Sequence, residues 1–496
     1  MNFGAKGRGP VSVTTLILVL APACAQGVGL DDGGGSGVTV TGTGTASSAT
    51  DATTSATDPG SSGTADLTTG SGTSTGDETG SSSSGGESST GEVPPGDDLP
   101  HAELYPFDRV HSPISVAVGD AMRAVAIAGD KNPGVFTRIG GTISASNDFL
   151  KCLAVDIGIE GLPAEPSLVS TISYFRSVML NDASNSWSHI SAAAMTGWNS
   201  DVLVGGMPTP IQAEIDAVQP RFAHLLTGTH DLEKVGPDAI YTFADNLLNT
   251  VDALSMQGVV PVLSTIPDRT NYSTLVPRYN GVIRAVAQGR QLPLVDLHLA
   301  LAPLPMGGLA VDGADLSVFV SAMENRPCFF GEAALQFGYN KHNLEALRGL
   351  DRACQVVIDG TESLDDPGPM LLGTGTAADP IRIPGLPFVD LRSTADSPSD
   401  SVDKYGGTCD GDADKSGPER FYRLDVKEQV TVRVQLFDRN AVNVDLHVLS
   451  GVDPGTCVKS HDQEISGPLP PGTYYIAIDS GGAGTEGEYA LVILLE

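Results

Sequence analysis

Apolar residues in the middle of the chain come in short runs that alternate with longer, periodic stretches. The runs GVFTRI (134–139), RFAHLLT (221–227), GVVPVLSTI (258–266) and LPLVDLHLAL (292–301) are nearly continuous in apolar character and read as buried strands. Between them, AIYTFADNLLNTVDALSMQ (239–257) spaces its apolar residues at three and four, the period of an amphipathic helix. TLVPRYNGVIRAVAQG (274–289) opens near a proline and closes on glycine, which also suits a helix. VAVGDAMRAVAIAGDKN (116–132) reads as a helix followed by a turn. Strands that alternate with helices predict an α/β domain over 101–360, its sheet mainly parallel and covered on both faces. In such sheets a ligand site forms beyond the carboxyl ends of the strands. Those ends are Gly140 to Ser146, Gly228 to Asp231 and the loop after residue 301.

The pattern changes after DDPGPMLLGTGTAADP (365–380), a Pro- and Gly-rich joint in which 361–375 is assigned as linker. From 376 to 496 the period drops to two. ERFYRLDV, VTVRVQLF, NVDLHVL, GTYYIAID and GEYALVILLE alternate inward apolar with outward polar residues, and turns such as PPG and SGG separate them. Short antiparallel strands at this spacing predict an all-β sandwich.

Composition changes the picture mainly at the amino terminus. Lys6 and Arg8, then the apolar VSVTTLILVLA, then APACAQ follow the order of an export signal over 1–25. Cys24 is a candidate lipidation site, and ACA at 23–25 also suits ordinary signal cleavage. Residues 26–100 are Gly, Ser and Thr with 11 carboxylates between Asp31 and Asp98 and no Lys or Arg. With almost nothing to bury, that segment is expected to be a disordered tether. No later run has the length and apolarity of a membrane span, so contact with a membrane is expected through a lipid anchor only. A net charge of −32 argues against a nucleic-acid partner. Among the six cysteines there is no CxxC and no His/Cys cluster at zinc spacing, so neither a metal nor a cofactor is expected.

The loops at the strand ends spell a pattern. IGGTISASNDFLKC, TGTHDLE and GLAVDGADLSV resemble, in order and spacing, three blocks of the SGNH or GDSL hydrolase family, and the resemblance spans most of 110–355. The closing segment FGYNKHNLEALRGLDRA (337–353) fits the same layout. The resemblance implies a flavodoxin-like three-layer α/β/α fold. It also implies a site in which a serine attacks an ester, a histidine takes its proton and an aspartate orients the imidazole. Backbone amides and an asparagine hold the oxyanion.

This sequence departs from that machinery. Gly-Asp-Ser becomes Gly140-Gly141-Thr142, and Gly-x-Asn-Asp becomes Gly228-Thr229-His230-Asp231. Asp-x-x-His becomes Asp312-Gly313-Ala314-Asp315, and the glycine of the second block is assigned to Gly197. A carboxylate of ordinary pKa near 4 is a feeble base towards an alcohol, and beside Asp312 one of the two acids is expected to hold a proton. The threonine methyl stiffens and crowds the attack line. Three readings follow for the site. The leading one is a pseudoenzyme pocket kept for binding or display. The second is a rearranged Thr142–His230–Asp315 relay with ester hydrolase activity, and the third is a cation held by His230, Asp312 and Asp315. Ser144 and Ser146 are expected to cap the following helix rather than to act as nucleophiles. His224 and His298 fall in strand runs and His342 in the closing segment, each with an ordinary structural reading.

At the carboxyl end, SGPERFYRLDV, VDLHVLS, LPPGTYYIAIDS and GEYALVI resemble the bacterial pre-peptidase carboxyl-terminal (PPC) β-sandwich. Under that resemblance Cys409 and Cys457 are disulfide partners in loops flanking the early strands, while Cys152, Cys328 and Cys354 leave the remaining pairing open. Asp445 and Asp479 are read as solvated strand-end acids rather than calcium ligands. The whole chain reads as an exported cell-envelope protein, an outer-membrane or surface lipoprotein or alternatively a secreted one. Its expected ligand is an acyl ester or a glycan.

Overall fold

The computed structural model describes Cys24 and residues 102–496, apart from 157–158, 237, 410–413 and 483. The export signal and the tether lie outside the described residues, Cys24 excepted.

The central sheet has the order β1-β2-β3-β4, all parallel: β1 (Asn132–Gly140), β2 (Pro220–Leu226), β3 (Val260–Ser264) and β4 (Leu294–Val295). β1 is buried from Gly134 onwards, so its polar side chains need partners inside the protein. Thr137 donates to Glu214 (2.5 Å), and the Arg138 guanidinium donates to the carbonyls of Phe149 (3.0 Å) and His189.

Nine helices of the described residues surround the sheet. They are α1 (Val116–Ile127), α2 (Thr142–Ala145), α3 (Pro166–Arg176), α4 (Ser200–Val204), α5 (Pro210–Val218), α6 (Ala239–Met256), α7 (Val276–Gly289), α8 (Leu297–Leu301) and α9 (Gly338–Val357). Both sheet faces are covered. Thr137 meets Glu214 of α5 on one face, while Arg138, His224 and Val262 stand in register on the other. α9 lies there, with His342 beside His224 and Gly349 against Val262 and Val295. This is the three-layer α/β/α arrangement.

One predicted strand is corrected. Of 292–301 only Leu294 and Val295 form a strand, and 297–301 is α8. The cause is Asp296, whose carboxylate accepts the Leu299 N–H (3.0 Å) and caps a helix inside an apolar run. His298 therefore belongs to a helix and not to a strand.

A small hairpin, β5 (Val320–Ser321) with β6 (Glu324–Asn325), precedes α9. The carboxyl-terminal part is a sandwich of two sheets built from β7 (Ile381–Arg382), β8 (Phe388–Ser393), β9 (Glu419–Val426), β10 (Val430–Asp438), β11 (Val444–Leu449), β12 (Cys457–His461), β13 (Glu464–Leu469), β14 (Gly472–Ser480) and β15 (Glu488–Leu495). Their orders are β13-β10-β15-β8 and β12-β11-β14-β9-β7. Val434, Leu436, Leu446, Val448, Ile476, Leu491 and their neighbours fill the space between them.

The sandwich is docked on α7. Val492 of β15 lies over Gly281 and Leu391 of β8 over Gly289, so both side chains join the core of the α/β domain. α7 is thereby buried nearly all round. Its polar residues are satisfied: Asn280 bonds both backbone groups of Ile266 (2.8 and 3.0 Å), Gln288 donates to Val389 O (2.9 Å), and Arg284 pairs with Asp296.

The cysteines form three disulfides, Cys152–Cys328, Cys409–Cys457 and Cys24–Cys354, and the Cys24 N–H donates to Asp359 (2.6 Å). While bonded to Cys354, the Cys24 sulfur is not available for a thioether to a lipid.

Candidate active site

β1 ends in two glycines, and each has a steric reason. Gly140 takes φ +141°, and a Cβ there would overlap the carbonyl of Leu226 on the neighbouring strand. Gly141 stands where the resembling family has an aspartate. A Cβ at that position would come within 2.7 Å of Trp198 O and 3.2 Å of the His230 ring. The two departures are therefore coupled: the imidazole at 230 occupies space that the missing side chain at 141 leaves open.

Thr142, first residue of α2, projects from this turn and is half-buried. Its hydroxyl oxygen lies 2.7 Å from His230 Nε2 and accepts the N–H of Gly197 (3.0 Å). Gly197 has φ +82°, which a side chain would strain, and it carries the loop amide to the hydroxyl. Gly228, at φ +117°, turns the chain out of β2 so that His230 faces Thr142, and it packs on Phe243.

The far side of the imidazole holds the main surprise. His230 Nδ1 faces Glu233 Oε2 at 3.4 Å, and Glu233 is paired with Arg269 (2.5 Å). Arg269 also donates to Thr229 O (2.6 Å), which ties the pair to the loop that carries His230. The acid beside the imidazole is thus Glu233 and not Asp315, a correction to the expected relay. The signal was present in the sequence, because a residue three positions on lies within reach of a histidine in one helical turn.

Asp315 is exposed, and its carboxylate has no hydrogen-bond or ion-pair partner among the described residues. Its main-chain carbonyl accepts from Ala310 (2.8 Å). Asp312 is also exposed and accepts the N–H groups of Ala314 (3.0 Å) and Asp315 (3.1 Å). Those two amides hold its carboxyl below the usual carboxylate range, with Arg269 helping.

The third reading, a cation at His230, Asp312 and Asp315, is not assembled. Among the described residues, the group of three potential donors within 4.8 Å of one another is Cys409, His447 and Cys457, which no spacing motif announces. Ser144 does not cap a helix. It is buried and donates to the carbonyls of Ile139 (3.0 Å) and Leu226 (3.2 Å), whereas Ser146 accepts the Asp148 N–H (3.1 Å) in a turn. Asp231 is fully buried and accepts from Ser200 N (3.0 Å) and Ser200 Oγ (2.6 Å), fastening the β2 loop to α4.

No protein-family model matches the chain, and no curated protein matches it in sequence. Solved structures do resemble its parts. A GDSL-like lipase from Bacteroides thetaiotaomicron aligns with 48% of this chain and 99% of its own at 10% identity, TM-score 0.29. An acetylxylan esterase from Geobacillus stearothermophilus aligns with 45% of this chain and 96% of its own at 14% identity, TM-score 0.28. The pre-peptidase carboxyl-terminal domain of a Bacillus anthracis collagenase aligns with 23% of this chain and 91% of its own at 17% identity, TM-score 0.16. The likeness is one of fold, to SGNH hydrolases over the α/β domain and to a PPC domain over the sandwich.

Proposed function

We propose that the protein is an exported envelope protein whose SGNH-like pocket binds an acyl ester or acylated glycan without turning it over. The observation that carries this reading is how the Thr142 hydroxyl is occupied. The Gly197 amide, which an ester hydrolase would aim at a developing oxyanion, is bonded to Thr142 Oγ1. The imidazole takes the same hydroxyl from the asparagine position of the motif. At the position where the family keeps its base stands the exposed Asp315, whose carboxylate has no partner among the described residues. A donor and the His230 imidazole both converge on the hydroxyl, so a substrate carbonyl has to displace one of them to be polarised. Three disulfides suit an oxidising, extracytoplasmic setting.

A second reading has one specific observation in its favour. The Thr142–His230 contact of 2.7 Å with Glu233 behind it is a hydroxyl, base and acid in series. In that case His230 takes the hydroxyl proton as Thr142 Oγ1 attacks the ester carbon, and returns it to the leaving alcohol.

One assay separates the two. The full chain is exposed to a fluorophosphonate probe and to a p-nitrophenyl acyl ester, beside Thr142→Ala and His230→Ala. Binding without turnover predicts no labelling above a heat-denatured control and release indistinguishable between the three proteins. Labelling and release that vanish in both variants establish the relay instead.

A further inference from the structure

The outer face of one sandwich sheet is not open to solvent. Residues 394–409 and 414–418, between β8 and β9, lie across it as a strap, and Val402 and Tyr405 of the strap pack on Phe421, Leu449 and Ala477 of the sheet. Cys409 in the strap is bonded to Cys457 at the start of β12, so the disulfide fastens the strap to the sheet edge.

His447 of β11 lies beneath this fastening. It is 3% exposed, and neither ring nitrogen has a hydrogen-bond partner among the described residues. The Tyr405 ring stacks on it with centroids 3.7 Å apart and planes 11° from parallel, while the Tyr405 hydroxyl donates to Asp479 (2.7 Å) and not to the imidazole. A buried polar group without a partner is destabilising, and an apolar residue of similar size would fill the position without that cost. What stands next to the unused nitrogens is sulfur. A His447 ring nitrogen and the Sγ atoms of Cys409 and Cys457 lie within 4.8 Å of one another.

Disulfide sulfur is an uncharged, weak donor. Two thiolates and a neutral imidazole are instead a soft S2N set suited to a thiophilic d10 cation, with one position left open. We propose that Cys409, Cys457 and His447 form a redox-gated site for such a cation, occupied only when the disulfide is reduced. A dithiol supplies the two electrons: it leaves as its own disulfide, and the Cys409–Cys457 bond becomes two thiols. The cation then displaces the two thiol protons to solvent, and His447 contributes a lone pair. In either state the strap stays fastened, by a covalent bond or by an ion.

The test uses the full chain, oxidised or reduced with a phosphine that is removed under nitrogen, and Co2+ as a coloured stand-in that Zn2+ then displaces. The reduced protein is expected to develop a thiolate-to-cobalt band and tetrahedral visible bands that Zn2+ bleaches, and the oxidised protein to develop neither. Cys409→Ser with Cys457→Ser removes the bands while leaving the other four cysteines as an internal control. His447→Phe keeps both sulfurs and the stacking surface, and is expected to weaken Zn2+ binding at least roughly ten-fold, the loss that even an outer-shell partner causes. Bands that persist in the double serine variant overturn the proposal. So does Zn2+ affinity unchanged by His447→Phe, or the lack of any band once thiol counting shows Cys409 and Cys457 reduced.

Discussion

The guanidinium of Arg290 grips the carboxylate of Glu488, 198 residues further along the chain, through two bonds of 2.5 and 2.9 Å. Arg439 reaches the same carboxylate (2.8 Å), and both arginines also bond Asp252 (2.9 and 2.7 Å). Two acids and two guanidinium groups thus alternate in a closed ring where α6 and α7 meet the sandwich. Burial alone pushes the Asp252 carboxyl up, but bonds from Arg290 and Arg439 bring it below the ordinary carboxylate value. Removing one cation leaves two partly buried acids to share the other, which is worse than losing a pair at the surface. Arg290→Ala is therefore expected to lower stability by about 2–3 kcal/mol, and the Arg290→Ala/Glu488→Ala cycle to return a coupling of about 1 kcal/mol or more in urea unfolding. Additive single effects would show that the ring does not hold the two parts together.

The glycines of α7 offer a test in which two effects have opposite signs. Alanine is favoured over glycine inside a helix by about 1 kcal/mol. At Gly281, however, a Cβ meets Val492 Cγ1 at 2.5 Å, and at Gly289 it overlaps the Leu391 side chain. Valine is stiff and cannot swing aside, so packing is expected to win. Gly281→Ala and Gly289→Ala should each destabilise by about 1–3 kcal/mol, the usual range for overpacking. A rise in melting temperature for either variant would show that the sandwich is not seated on this helix.

Acid should unfold the protein through two histidines that the site does not use. His224 and His342 are fully buried and no ring nitrogen of either finds a partner among the described residues; His342 stacks on Phe149 with centroids 4.2 Å apart. Burial first, then Arg138, lowers the His224 pKa to about 3, and burial, then His224, takes His342 well below its usual value. Both stay neutral in the folded chain while the unfolded chain takes up protons below about 6.5. Stability is thus complete above that pH and falls as pH drops from 6.5 towards the folded values. The slope approaches about 1.4 kcal/mol per pH unit for each imidazole. Denaturant unfolding at pH 7, 5 and 4 should show a shallower decline in His224→Leu and in His342→Phe than in the parent.

The acids of the degenerate motif should separate cleanly by burial. Asp231→Ala strands the Ser200 N–H and hydroxyl that it now satisfies, and should cost about 2–4 kcal/mol in thermal unfolding. Asp315→Ala, at an exposed carboxylate without a partner, should stay within about 0.5 kcal/mol of the parent. Equal effects would mean that Asp315 holds a role the static contacts do not reveal.

Local regularities made much of this legible in the chain. The runs at 134–139 and 221–227 announce β1 and β2 because a strand covered on both faces must be apolar along its whole length. Asp296 shows the limit of that rule, since one capping carboxylate turned the second half of an apolar run into α8. β12 went unread because CVKSH is an edge strand with most of its side chains in water. Gly281 and Gly289 look like weak points of a helix until Val492 and Leu391 arrive from distant parts of the chain. At the site, Thr142 and His230 could be matched by motif order. The steric bargain between Gly141 and the His230 ring, and the grouping of His447 with two cysteines, arise only when distant segments fold together, and no local spacing encodes them.

The bond between Cys24 and Cys354 turns maturation into something countable. A peptidase that cuts after Ala25, or an acyltransferase that loads the Cys24 sulfur, leaves Cys354 without its mate, whereas a chain that retains an unmodified Cys24 keeps all six sulfurs paired. Read in denaturant, the difference is one Ellman-reactive group per molecule or zero. Protein that has passed through an export pathway and protein expressed without it would then carry different numbers of free sulfhydryls if Cys24 is removed or modified, and the number itself would report whether the leader had been processed.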